Sequence, residues 1–368
     1  MLQPMYTMQQ FNWFDRRGTE GVGFIRALRT HLTNNLPQIL PDLTAIIRSR
    51  MTELRESHPT VDGEKHSPVY PMVIKLVVLS NAVSFFGKSL AKDEDFMVSA
   101  LEYIEQTLIC AEIVRLLPKW LAPIVGNILG RRLKAQDRIF NTLLPIAEQR
   151  VVERDLKTLG HSVPQHTITF AIHDLCLNPQ YLEPLRKELI TGYEEFERTS
   201  TGLPLLDSFI KESARLTPVE AQSTRRSALK PFILSDGTKL NVGEWACTPV
   251  RAIMQNPEFY PDPLVFNGFR FADPAILEET AKGHFSVSQT QPSKLTDVGN
   301  TFHVWGTGRM ACPGRFYAAA IMKVIMGQVI LNYDCEMVKK DDSQRYIEWR
   351  STILPKSDTV VIFTPRGA

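Results

Sequence analysis

Apolar residues recur at helical spacing through most of the first half of the chain. Phe24, Ile25, Leu28 and Leu32 form one stripe and predict a helix over residues 21–34. A second helix is predicted over 42–56, entered after Pro37 and Pro41, and the pattern continues over 72–86 and 96–117. Residues 120–131 are apolar with a basic end, and 135–157 read as a long amphipathic helix. A helix end falls at Asn178-Pro179, with a new helix beyond it. Leu205, Leu206, Phe209 and Ile210 mark a further helix, stopped by Pro218. After Arg215 the texture changes. Phe232-Ile233-Leu234 is followed by Ser235-Asp236-Gly237-Thr238, a turn signal between strands. The polar stretch 273–301 reads as loop, 315–331 as a buried helix with Ala318, Ala319 and Ala320 permitting close packing, and 352–363 alternates like strands. The predicted class is mainly α, of the α+β kind, with small late sheets.

The 368 residues and an apolar fraction of 43% support a substantial core, and a net charge of +2 gives no argument for nucleic acid. The five cysteines are few, odd in number and scattered, which argues against a disulfide framework and for a reducing compartment. No zinc-ligand spacing or internal repeat is present, and residues 1–16, polar and aromatic with no apolar core or cleavage site, predict no signal peptide. No run of about 18 apolar residues predicts a membrane-spanning helix.

One run stands apart. Trp305-Gly306-Thr307-Gly308-Arg309-Met310-Ala311-Cys312-Pro313-Gly314-Arg315-Phe316 places a cysteine in a glycine-punctuated loop directly before a helix. Gly306 and Gly308 suit the positive φ of a tight turn, and Gly314 suits close approach of a cofactor. The N–H groups opening the helix point back at the sulfur, which is expected to lower the thiol pKa and favour a thiolate metal ligand. Two more motifs precede it. Glu212 and Arg215, in Lys211-Glu212-Ser213-Ala214-Arg215-Leu216, lie three apart on one helix face; by themselves they read equally as a surface ion pair. Arg270 lies between aromatics in Phe266-Asn267-Gly268-Phe269-Arg270-Phe271, where a snorkelling arginine is the plainer reading.

In this order, Glu-x-x-Arg, aromatic-flanked arginine and cysteine loop, the chain resembles the cytochrome P-450 family of haem-thiolate monooxygenases, and its phrasing resembles fungal members of secondary metabolism. The resemblance runs from about Phe24 to the C-terminus and implies one cytochrome P-450 domain over 1–368. It implies haem b (iron protoporphyrin IX) with Cys312 as axial iron ligand, Trp305 packed by the sulfur, and Gly306 and Gly314 shaping the loop. Glu212, Arg215 and Arg270 match the family's structural triad. Arg225, with Arg226 as rival, and Arg29, with Arg26 as rival, fall at propionate-binding positions, although a surface role suits Arg29 equally. Met310 replaces the family's usual basic residue, which leaves Arg309 as the propionate candidate in this loop.

The resemblance also implies dioxygen, an NADPH-dependent cytochrome P-450 reductase and a hydrophobic small-molecule substrate as partners, with residues 219–224 and 351–354 facing that substrate. The resemblance implies the endoplasmic reticulum membrane surface, with a peripheral or cytoplasmic place expected for a chain without the anchor. The expectation here is a product lacking the N-terminal anchor and the first half of the oxygen-activation helix, an incomplete version of the fold. Residues 167–175 read as the second half of that helix, with Thr167 as candidate alcohol. A haem-binding remnant without turnover is the alternative function.

Overall fold

The computed structural model describes residues 32–118, 121–130, 135, 138–139, 141–142, 164–228, 230–281, 285, 292–308, 311–340 and 345–367. Most of the helices predicted over 21–34 and 135–157 lies outside them. In chain order the elements are α1 (Leu36–Ser57), β1 (Thr60–Val61), β2 (Glu64–Pro68), α2 (Val69–Phe86), α3 (Lys88–Ala91), α4 (Glu94–Arg115), α5 (Ala122–Gly130), α6 (Pro164–Leu177), a 3-10 turn (Pro179–Tyr181), α7 (Leu182–Thr199) and α8 (Pro204–Leu216). There follow β3 (Ser223–Ser227), β4 (Phe232–Ile233), β5 (Lys239–Leu240), β6 (Trp245–Thr248), α9 (Val250–Met254), α10 (Pro274–Ala281), α11 (Arg315–Asn332), β7 (Tyr333–Met337), β8 (Tyr346–Trp349), β9 (Thr352–Pro355) and β10 (Val360–Pro365).

Three expectations needed correction. Residues 60–68, in a half read as almost all helix, form the β1–β2 hairpin. Its turn residues Asp62 and Gly63 both have positive φ, 52° and 85°. That is the Asp-Gly turn geometry whose twist suits a two-residue hairpin. The stretch 273–301 contains α10, opened by Asp273, whose carboxylate accepts the Ala275 N–H at 2.9 Å, and by Pro274 in the first turn. The helix predicted from 42 begins at Leu36 and contains Pro41; the proline forfeits a single N–H bond close to the helix start.

The chain divides into two compact units, 1–31 with 77–161 and 32–76 with 162–368. In the first, Ala82, Leu90 and Phe96 make a small core joined by Ala91, Met97 and Ile139. The Asp93 carboxylate accepts the Phe96 N–H at 3.0 Å and so fixes the entry to α4.

The second unit is built around α11. Every residue from Tyr317 to Ile330 is buried, as expected of a helix apolar on all sides. It packs against α1, α6, α7, α8 and β7. A polar tie runs across three of these helices. The Tyr193 hydroxyl of α7 bonds Thr44 of α1 and Gln328 of α11, each at 3.2 Å, and Arg48 donates to Gln328 Oε1 at 2.9 Å. Gly327 permits it: a Cβ there would lie 2.7 Å from the Tyr193 ring. The four-stranded antiparallel sheet runs β1-β2-β10-β7, so the chain's last strand closes on its first hairpin. The other sheets are the pairs β3–β6, β4–β5 and β8–β9, and β4–β5 confirms the turn at Ser235-Asp236-Gly237-Thr238.

Gly327→Ala is expected to destabilise the chain by about 1–3 kcal/mol through overpacking against Tyr193, seen as a lower urea midpoint at unchanged m-value. A second expectation concerns acid. His173, on α6, is fully buried, and burial, reinforced by the Arg345 charge, pulls its pKa down to about 3; burial pulls His166 down to about 4. Between these values and the ordinary 6.5 the unfolded chain binds protons that the folded chain refuses. The stability contributed by these two neutral histidines is therefore full above pH 6.5 and falls as pH drops toward 3. The variant His173→Leu should show a shallower fall in unfolding free energy between pH 6.5 and 4 than the unaltered chain; equal slopes would contradict the assignment.

Candidate active site

Glu212, Arg215 and Arg270 converge in the interior, each no more than 1% exposed. Arg215 and Glu212 face each other because they lie three apart on α8. The guanidinium grips the carboxylate in a fork, Nε to Oε2 at 2.7 Å and NH2 to Oε1 at 2.8 Å. Arg270 arrives from the loop after Pro263 and shares Nε between both oxygens at 3.0 and 3.1 Å. The surface reading of the ion pair and the snorkelling reading of Arg270 are thus both overturned. One carboxylate cannot neutralise two guanidiniums, and the remaining donors go to backbone carbonyls. Arg215 NH1 bonds Met254 O and Pro263 O, each at 2.7 Å; Arg270 bonds Pro261 O at 2.7 Å, Asp262 O at 3.3 Å and Val265 O at 3.1 Å. The prolines supply no N–H groups; the Val265 N–H reaches Asp262 O at 3.0 Å, and the arginines supply donors to the carbonyls of Pro261, Pro263 and Val265.

The same helix secures the approach to the cysteine loop. Asp207 accepts the Leu295 N–H and pairs with Lys323 of α11. Lys211 donates to Ser293 Oγ at 3.0 Å and Lys294 O at 2.8 Å, with its ammonium 4.6 Å from the ring centroids of Phe271 and Phe302. Leu295 O in turn accepts the Trp305 indole N–H at 2.6 Å. From α7, the Glu188 carboxylate caps the start of α8 through the Leu205 and Leu206 N–H groups at 2.6 and 2.9 Å. Its burial pushes its pKa up to about 7 against those bonds. Sequence reasoning missed Asp207, Lys211, Lys323 and Glu188. The available signal was charge within apolar stretches: Asp207 and Lys211 stand among Leu205, Leu206, Phe209 and Ile210 of α8, and Lys323 stands in the apolar α11.

Cys312 sits half-buried just ahead of α11. Gly306 and Gly308 take φ of +73° and +57°, as their positions predicted. The Cys312 N–H donates to Trp305 O at 2.7 Å and the Gly306 N–H to His303 O at 2.9 Å, folding the loop back on itself. Arg315 ties the loop's exit to Thr296 O at 2.9 Å and Cys312 O at 3.2 Å. Gly314 is the helix N-cap at an ordinary φ of −91°, so its backbone needs no special freedom. One expectation is corrected: burial pushes the Cys312 thiol pKa up, opposed by the Gly314 N–H and the Arg315 charge. In the protein alone, desolvation outweighs the helix-start donors.

The structure gathers the triad and the cysteine loop into one unit through α8 and the 293–297 segment. Trp305 is buried in that loop. Arg29 and Arg309 lie outside the described residues. Arg225 lies in β3 with its side chain outside the description, and its rival Arg226 is exposed. Thr167 is buried in the first turns of α6.

The sequence profile of the family described as Cytochrome P450 matches residues 159–363, more than half of the chain. The chain belongs to the cytochrome P450 family. Among its relatives, a cytochrome P450 monooxygenase olcJ of Penicillium canescens is 28% identical, over 94% of this chain and 71% of that protein. The cytochrome P450 monooxygenase ptmP of Penicillium ochrochloron is 30% identical, over 72% of this chain and 67% of that protein. An ent-kaurene oxidase of Gibberella intermedia is 26% identical, over 94% and 72%. The retinoic acid-bound cyanobacterial CYP120A1 structure superposes with a TM-score of 0.63 at 16% identity, over 93% of this chain and 77% of that one. This P450 is therefore a monooxygenase by family resemblance, with the family's mainly α fold, and the family implies a haem cofactor. No helix among the described residues is long and apolar enough to cross a membrane.

In this P450, Glu212→Ala is expected to cost about 3–5 kcal/mol, because it leaves two buried guanidiniums without their carboxylate. Chemical unfolding of the variant checks this; a loss below about 1 kcal/mol would return the pair to the surface class.

Proposed function

We propose that this P450 binds haem b through the Cys312 thiolate and oxidises a hydrophobic small molecule, a fungal secondary metabolite of terpenoid type. Electrons would come from an NADPH-dependent cytochrome P450 reductase, with dioxygen as co-substrate, at the endoplasmic reticulum surface. The observation that carries the reading is a half-buried soft donor, in a loop held by two positive-φ glycines and internal hydrogen bonds, at the head of the buried α11. The Gly314 N–H and the Arg315 charge favour the charged form of the thiol that an iron ligand would take, while burial in the protein alone outweighs them.

Bound haem supplies dioxygen activation, with the thiolate donating electron density that favours O–O cleavage. The protein's own share is positional. Trp305, Gly306 and Gly314 shape the ligand loop, and Arg225, Arg29 and Arg309 are the proposed propionate partners. The Glu212–Arg215–Arg270 cluster fixes the scaffold behind the loop. Thr167 is the proposed hydroxyl that holds a proton on the opposite face. The terpenoid class is supported by the ent-kaurene oxidase among the relatives.

The alternative reading is haem binding without turnover. Product formed per NADPH consumed, with reductase and a diterpene substrate, separates the two.

The ligand assignment predicts that Cys312→Ala abolishes the thiolate-type Soret band of the reduced carbon monoxide complex. Survival of that band would assign the ligand elsewhere.

A further inference from the structure

We infer that the ribbon from β3 to β6 is a docking element that lays Phe232, Ile233, Val242 and Trp245 into the surface of a phospholipid bilayer. The inference deepens the proposed placement at the endoplasmic reticulum surface by naming the part of the chain that meets lipid.

The ribbon is two-stranded along its length. β3 pairs with β6 as far as Ser227 opposite Trp245. Beyond that pair the Ala228 N–H donates to Glu244 O and the Gly243 N–H to Ala228 O, each at 2.9 Å. β4 and β5 then continue the pairing, with Phe232 opposite Leu240 and Ile233 opposite Lys239. From Lys230 to Trp245 every described residue is exposed except the half-buried Leu234 and Leu240. Four of the exposed side chains are bulky and apolar: Phe232 and Ile233 are 58% and 60% exposed, Val242 and Trp245 64% each. A single exposed apolar side chain is ordinary, but four along one ribbon mark a contact surface.

The form of the ribbon selects the occupant. Phe232 and Ile233 are neighbours in β4, so they point to opposite faces, and both stand in water. A flat protein partner would cover one of those faces. The fluid boundary between headgroups and acyl chains closes around both. The backbone can enter that boundary with its turns already bonded. The Leu234 N–H donates to Thr238 O at 2.9 Å, the Gly237 N–H to Leu234 O at 3.0 Å and the Thr238 N–H to the Asp236 carboxylate at 2.9 Å. In the second turn the Glu244 N–H donates to Asn241 O at 3.1 Å, and the Glu244 carboxylate accepts the Asn241 N–H at 2.6 Å. Both acids are thus engaged within their own turns. Lys230 and Lys239 are exposed and make no ion pair among the described residues. Long ammonium side chains reach phosphate oxygens while their stems lie along apolar surface, and an indole suits the zone between phosphate and acyl chain. The polar turn Ser235-Asp236-Gly237-Thr238 keeps the seating at headgroup depth.

The test uses the full chain and vesicles of phosphatidylcholine, with and without phosphatidylserine. Sedimentation with vesicles gives the partition coefficient. It should fall at least about ten-fold in Phe232→Ser/Ile233→Ser on both kinds of vesicle. In Lys230→Gln/Lys239→Gln it should fall about ten-fold only where phosphatidylserine is present. Because these side chains are exposed, both variants should keep the urea midpoint of the unaltered chain. Phosphatidylcholine brominated on its acyl chains should quench the tryptophan emission of the bound protein, and Trp245→Phe should remove most of that quenching. An unaltered chain that does not sediment with vesicles overturns the inference. Equal partitioning of Phe232→Ser/Ile233→Ser, or quenching that survives in Trp245→Phe, overturns it too, because lipid then meets another part of the chain. A lipid-free dimer that Phe232→Ser/Ile233→Ser disperses gives the ribbon to a second copy and overturns the bilayer. The haem reading is judged separately, by the reduced carbon monoxide spectrum, so either can fail while the other stands.

Discussion

One buried carboxylate holds two buried guanidiniums, and much of the architecture around the cysteine loop hangs on that imbalance. Glu212 can neutralise only one positive charge, so the excess is spread over five backbone carbonyls from residues 254–265. Those carbonyls belong largely to a proline-broken turn that has few N–H groups of its own. The ion cluster therefore satisfies the turn as the turn stabilises the cluster. Neither would be tolerable alone in a dry interior, where an unpaired charge or carbonyl is costly.

Helix α8 extends the same principle toward the cysteine. It carries Asp207, Lys211, Glu212 and Arg215, all buried, which between them reach α11, the 293–295 segment and the loops around residues 254–270. Asp207 and Lys211 hold residues 293–295, which hold Trp305, whose carbonyl holds the Cys312 N–H. The cysteine loop is thus set by a relay of directional hydrogen bonds, and apolar contact alone would leave it free to slide. The Cys312 thiol shows the cost of this arrangement. The packing that fixes its position also desolvates it, and burial outweighs the donors at the helix start.

At the opposite end of the unit, the antiparallel sheet β1-β2-β10-β7 joins the first hairpin to the last strand, and α11 fills the space between α1 and α8. The small residues of α11 matter where helices come close. Gly327 admits the Tyr193 ring, whose hydroxyl then links α1 and α11. Polar ties of this kind give register to helices whose apolar faces are otherwise interchangeable.

The sequence by itself determined the helices with long apolar periods, the turn at Ser235-Asp236-Gly237-Thr238, the glycine loop around Cys312 and the three ordered motifs. These signals are local, because each depends on spacing, φ preference or capping within a few residues. It equally held the Asp62-Gly63 turn and the Asp273-Pro274 helix start, two local signals overridden by a helical and a polar neighbourhood respectively. Tertiary structure alone decided which charged residues are buried. Asp207, Lys211, Glu212 and Arg215 lie among apolar neighbours as a solvated helix face would. Only the arrival of α11, the 293–295 segment and the Arg270 loop turns that face inward. The Glu220 contact with Ser351 and Thr352 likewise spans more than a hundred residues of chain. No spacing rule encodes it, because its energy exists only once the fold has brought the two segments together.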